Sequence, residues 1–150
     1  MKIKFLSILL AVIFLCTYSF AQENLTNKKS NKEKSQVINS DSIFSSVQEG
    51  ILKHNVKAFS KYLSSQTFLN LANATSGYYS SNQAIFVLQD FINNYEASSF
   101  NFNELNEDEQ NPYATGILQY LYKGKEDSAN VFISLKKTGS GWKIKQITIN

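Results

Sequence analysis

The chain predicts an α+β fold in which helices pack on one face of a curved antiparallel sheet, and three observations carry that reading. Apolar residues recur at helical spacing around 41–63 and again around 80–95. From Phe100 onward the period drops to two, the alternation of half-buried strands. Helices grouped early and strands grouped late argue for a helical layer on a sheet rather than alternating βαβ units.

Asp41 and Ser42 are candidate N-caps for a first helix whose Ile43, Phe44, Val47 and Ile51 fall on one side. Gly50 weakens its last turn, and a break is expected near His54. Asn55 then caps a second short helix carrying Val56, Phe59, Tyr62 and Leu63. Gln66 to Ala72 reads as a strand and Thr75-Ser76-Gly77 as a turn. Ser80 or Ser81 opens the best helix of the chain, with Ala84, Ile85, Leu88, Phe91, Ile92 and Tyr95 forming a broad apolar stripe.

Phe100 and Phe102 alternate with Asn101 and Asn103 in the next strand, and acidic, Pro-containing 106–112 reads as a loop. Tyr113 to Lys123 is a long strand, 123–127 a turn, and Ser128 to Lys137 a strand with Val131, Ile133 and Leu135 on one face. Thr138 to Gly141 turns into the last strand, Trp142 to Ile149. There the apolar positions change phase, Trp142 and Ile144 against Ile147 and Ile149. Either a bulge lies near Gln146 or both faces are covered.

The first residues address the chain. Lys2 and Lys4 precede an apolar run from Phe5 to Cys16, and Ser19-Phe20-Ala21 offers a small-x-small site before Gln22. That is the pattern of a secretory signal peptide at 1–21, and the run is shorter than the roughly 20 residues of a spanning helix. Leu15 departs from the small residue a lipoprotein signal places before its cysteine, so cleavage is expected after Ala21. Residues 22–37 are polar and lysine-rich and read as a disordered linker. Residues 38–150 form a single domain, and the expected localisation is secreted or periplasmic.

Cleavage removes Cys16, the only cysteine, and with it thiol chemistry, thiolate metal sites and disulfides. All 15 basic residues are lysine, and those from residue 38 onward nearly balance the acids there. A near-neutral domain without arginine forks lacks the footprint of a nucleic-acid binder. Membrane contact is expected only through the cleaved signal peptide.

Several blocks resemble the nuclear transport factor 2-like superfamily, the cystatin-like α+β cone, and within it a family of secreted Gram-negative bacterial domains of unknown function. Ile51 to Phe59 is similar to the break between the first two helices. Tyr79-Ser80-Ser81-Asn82-Gln83-Ala84 with Leu88-Gln89-Asp90-Phe91 resembles the family's helix opening and body. Tyr113 to Leu118 is similar to its first long strand, and Trp142-Lys143-Ile144 with Ile147 and Ile149 to its closing strand. Ile92, where many members place an aromatic, and the acidic 104–109 loop depart from the pattern. The resemblance implies a cone with helices on the concave face of the sheet, and no established activity.

In some relatives the space between helices and sheet is catalytic, and ketosteroid isomerase chemistry there needs a carboxylate base and an oxyanion hole. The three long strands at 113–149 contain no carboxylate. The acids gather instead at Glu104, Glu107, Asp108 and Glu109, and at Glu126 and Asp127, positions suited to solvated loops. His54, the only histidine, has no companions spaced for zinc, and as a base it would need an orienting partner such as Asp90. No metal or other cofactor is expected.

Aromatics are the abundant resource. Tyr78, Tyr79, Tyr113, Tyr120, Tyr122 and Trp142 are candidates to line a small pocket for an apolar or carbohydrate ligand, Tyr79, Tyr113 and Trp142 foremost among them. Tyr120 and Tyr122 share a strand face with Leu118, and a convex face there would suit a homodimer. The expectation is a secreted, non-enzymatic binding or scaffold domain. The alternative is a small isomerase or hydrolase-like enzyme using His54 or Asp90.

Overall fold

A computed structural model describes residues 39–150, so the expected signal peptide, the linker and Cys16 lie outside the described residues. The elements are α1 (Ser40–Leu52), α2 (Lys57–Ser60), β1 (Leu63–Leu71), β2 (Ser76–Ser80), α3 (Ser81–Asn94), β3 (Glu96–Asn106), β4 (Tyr113–Tyr122), β5 (Lys125–Thr138) and β6 (Gly141–Ile149). They build one six-stranded sheet in the order β2-β1-β6-β5-β4-β3. Every neighbouring pair is antiparallel except β1 and β6, which run parallel.

The first helix buries the four residues its spacing selects, Ile43, Phe44, Val47 and Ile51. It begins two or three residues earlier than those candidate caps imply, at Ser40, with Asn39 at the N-cap position and Asp41 in the first turn. Gln48 ties it to the sheet, its amide donating to the Phe100 carbonyl at 2.7 Å. The third helix opens with a full capping box. The Ser80 hydroxyl accepts from the Gln83 N–H (3.4 Å), and the Gln83 side chain accepts from the Ser80 N–H (3.1 Å). Ala84, Leu88, Phe91 and Ile92 are the residues it buries.

The break after α1 is a Schellman motif. The Asn55 N–H donates to the Gly50 carbonyl (2.7 Å) and the His54 N–H to the Ile51 carbonyl (3.2 Å), with His54 in the left-handed region at φ 52°. Gly50 is there for space. A Cβ on it would lie 2.5 Å from the Phe59 ring and 2.9 Å from the Asn55 carbonyl oxygen. Its absence lets the fully buried Phe59 and the returning loop close onto the helix.

Four boundaries differ from the sequence reading. The second helix stops at Ser60, and β1 begins at Leu63 rather than Gln66, because β6 captures the backbone: the Ile144 N–H donates to the Tyr62 carbonyl at 2.7 Å. Residues 76–80 form a strand, not a turn, pairing Gln66 with Ser80 and Asn70 with Ser76. The β3 strand runs on to Asn106 through two register shifts. The expected 123–127 turn shrinks to Lys123-Gly124, both at positive φ (51° and 75°), so β5 starts at Lys125 opposite Tyr122.

The phase change in the last strand is a bulge. Ser134 pairs with Gln146 and Leu135 with Ile144, leaving Lys145 unmatched and exposed. Ile144, Ile147 and Ile149 therefore all face the core and are all fully buried.

The face of β4 carrying Leu118, Tyr120 and Tyr122 is the inner, concave face. Leu118 is 1% and Tyr120 6% exposed, so these residues do not form the exposed dimer patch that a convex placement would give. The outer face of β3 and β4 carries Asn101 and Asn103, with Gln119 beside exposed Ile117.

Gly50→Ala is expected to lower unfolding stability by about 1–3 kcal/mol, through overpacking against Phe59. Urea unfolding should show a lower midpoint at an unchanged slope; an unaltered midpoint would refute the packing argument.

Candidate functional site

The inner face gathers its aromatics where the last turn of α3 meets the β4–β5 hairpin. Phe91 and the C-cap residue Tyr95 lie four positions apart and so meet on one side of the helix end. Tyr120 and Tyr122 lie two apart on the strand and share another. The Tyr95 ring stacks between Phe91 (centroids 4.4 Å apart, 13° between planes) and Tyr122 (4.5 Å, 8°). Tyr120 meets Tyr95 edge-on at 5.2 Å.

Burial pushes the Tyr95 phenol above the usual tyrosine range, and the neighbouring Tyr122 phenol adds to it. The Tyr120 phenol is raised for the same first reason, with the Asp127 carboxylate and Tyr95 contributing further. Both hydroxyls therefore stay protonated as donors through ordinary pH.

Beside this stack opens a recess of about 420 Å³. Tyr95 and Tyr122 form its aromatic wall; Asn93, Asn94 and Glu96 enter from the end of α3 and the start of β3, Asn73 from the β1–β2 turn and Lys123 from the hairpin. The Lys123 ammonium sits 5.0 Å from the Tyr122 ring centroid, a cation–π distance. A second recess of about 300 Å³ lies at the same hairpin, between Ser98, Tyr120 and Asp127.

His54 and Asp90 are both exposed, and no hydrogen bond joins them. His54 is held by its backbone, its carbonyl accepting from the Gln89 side-chain amide at 3.1 Å, while the Gln89 oxygen accepts from the Val56 N–H at 3.3 Å. One glutamine thus clamps the helix break to α3. Asp90 faces solvent and accepts from the Asn94 side chain through its carbonyl (2.8 Å).

Tyr79, Tyr113 and Trp142 do not converge. Tyr79 is half-buried on β2 opposite Thr67. Tyr113 stands on the outer face, stacked on Phe132 at 5.8 Å and donating to Glu104 (2.8 Å). Trp142 packs at the β5–β6 turn with the Lys137 ammonium 5.6 Å from its ring. The acidic loop organises itself: Asp108 accepts from the Gln110 and Asn111 N–H groups (2.8 and 2.9 Å), which hold its carboxyl below the usual range. Among the described residues no group of three or more His, Cys, Asp or Glu side chains is placed to hold a metal.

Sequence reasoning missed most of the recess. Tyr95 reads as the end of a core stripe and Lys123 as part of a turn, while Asn93, Asn94 and Asn73 carry no signal that sets them apart. No local signal joins positions on α3, β4 and the β1–β2 turn.

The model of one protein family, described as Domain of unknown function (DUF4783), matches residues 44–150. The chain belongs to this family. No curated protein matches it. The crystal structure of a DUF4783 family protein from Bacteroides uniformis is similar at 23% identity and a TM-score of 0.63, covering 71% of this chain and 94% of that one. A domain of unknown function with a cystatin-like fold from Nostoc punctiforme is similar at 8% identity and TM-score 0.58, covering 73% and 72%. A protein described as Rd1NTF2_04 with long sheet is similar at 9% identity and the same TM-score, covering 73% and 98%. This DUF4783 domain therefore has the nuclear transport factor 2-like, cystatin-like fold that its helix opening and closing strand resemble.

Two outcomes follow for the DUF4783 domain. The raised Tyr95 and Tyr120 phenols favour the fold while protonated, a contribution complete below the ordinary tyrosine value of 10.0 and lost as pH climbs through the raised values. Thermal melts should fall above about pH 10, and a Tyr95→Phe, Tyr120→Phe double variant should flatten that fall. His54→Gly should stabilise by about 0.5–1 kcal/mol by relieving the left-handed backbone. A destabilised glycine variant would mean the imidazole itself is needed.

Proposed function

We propose that this chain is an extracytoplasmic, non-catalytic binding domain whose ligand contact is the recess beside Tyr95 and Tyr122. One observation carries the reading: among the described residues the buried titratable side chains are the phenols of Tyr62, Tyr95 and Tyr120, with no buried carboxylate, imidazole or ammonium. Phe44, Phe91, Phe100 and Leu118 are buried in the interior of the cone, and among the described residues the buried polar side chains other than tyrosine are Ser40, Ser64 and Thr67. Proton abstraction from a substrate needs a base within hydrogen-bond reach of it, and burial keeps the Tyr95 and Tyr120 phenols protonated. Binding needs less, a concave aromatic surface with a few directed polar groups, which the recess supplies. The signal pattern at 1–21 supports the extracytoplasmic address.

The test is a fragment screen read by amide chemical shifts, together with intact-mass measurement on protein from its own host. The expected mass begins at Gln22, and fragment shifts cluster at Asn73, Asn93 to Glu96, and Tyr122-Lys123, diminishing in Tyr122→Ala. Shifts confined elsewhere, or undiminished in that variant, would refute the site; a mass retaining residues 1–21 would refute the address.

A further inference from the structure

We infer that the recess recognises an organic ammonium group, and that the Lys123 ammonium is a resident cation which such a ligand displaces. The inference rests on the binding reading above and names its ligand class. Four features point the same way. The recess lies at the C-terminal end of α3, where the helix dipole is negative, and the last turn of α3 carries no basic residue to offset it. Glu96, directly after the C-cap Tyr95, adds a full negative charge to the same wall. Among the described residues the one ion pair is Lys53 with Glu49, so the Glu96 carboxylate is not taken up by Lys123. Asn94 donates to Asp90 with its amide nitrogen, which leaves its amide oxygen as an acceptor.

The aromatic wall completes the chemistry. Tyr122 has one face against Tyr95 and the Lys123 ammonium 5.0 Å from its ring centroid. An internal cation over an aromatic ring marks where an external one would sit. Lys123 is exposed and arrives from a two-residue hairpin, so its side chain can swing into water and leave the ring face open. An anion would meet Glu96 and the helix carbonyl end, and a purely apolar ligand would strip water from both without replacing it.

Titration of the purified chain with tetramethylammonium chloride, tert-butanol and maltose, read by amide shifts, tests the class. Tetramethylammonium should move the Tyr95, Glu96 and Tyr122 resonances. Lys123→Met, which keeps the stem and removes the charge, should bind it about five-fold more tightly, and Glu96→Gln about five-fold more weakly. Unperturbed spectra elsewhere in each variant verify that it is folded. If tert-butanol or maltose moves the same resonances as strongly, the ammonium class is wrong and the recess reading survives. If Lys123→Met fails to tighten binding, Lys123 is not a displaceable occupant. If no probe moves them, both the class and the recess fail.

Discussion

Everything on the concave side depends on the bend in β6. This strand lies inside the sheet, hydrogen-bonded to β1 on one side and β5 on the other, so its shape is imposed on both halves. Lys145 is the extra residue, and it lets Ile144 and Ile147 face inward although three positions separate them. A bulge bends and twists the strand that carries it, and a sheet bent at its centre has an inside for helices to fill. The register between β1 and β6 shifts over the same stretch, from Leu63–Ile144 to Phe68–Gln146, so the bend is shared by both strands.

The helices then close that inside from two directions. The first is pinned to β3 by Gln48 and terminates where Gly50 admits Phe59; the third packs against β1 and β2 and ends beside β4. Gln89 links them, bonding both to the His54 carbonyl and to the Val56 N–H. The interior consequently holds the fully buried Phe44, Phe59, Phe91 and Phe100, worth on the order of 2–3 kcal/mol each against exposure. At the end of α3 the aromatic layer reaches the surface, and there Tyr95 and Tyr122 bring hydroxyls and ring edges to a polar rim. The recess is thus an unsealed end of the core, which accounts for buried tyrosines standing next to asparagine and lysine.

Much of this was legible residue by residue. The stripe from Ala84 to Tyr95 and the break near His54 follow from spacing, since a core face must recur every 3.6 or 2 residues; the phase change near Gln146 was legible too, but pairing with β5 decided that it is a bulge. The serine opening of α3 was equally readable, because Ser80 and Gln83 satisfy each other's backbone within one turn. The strand at Ser76–Ser80 was not. Its five residues include two serines and a glycine, and only pairing with β1 makes them extended. The face of Leu118, Tyr120 and Tyr122 was found as a set, yet whether it lay inside or outside could not be read from β4 alone.

The sequence by itself determined the helices, five of the six strands, the residues that share a face and the family resemblance, because each rests on neighbours within a turn or two of chain. The tertiary structure alone decided that β1 runs parallel to β6, that the tyrosine face of β4 is concave, and that Asn73, Tyr95, Glu96 and Lys123 meet. Those are contacts between distant segments, set by how the bent sheet wraps its helices, and no local periodicity encodes them.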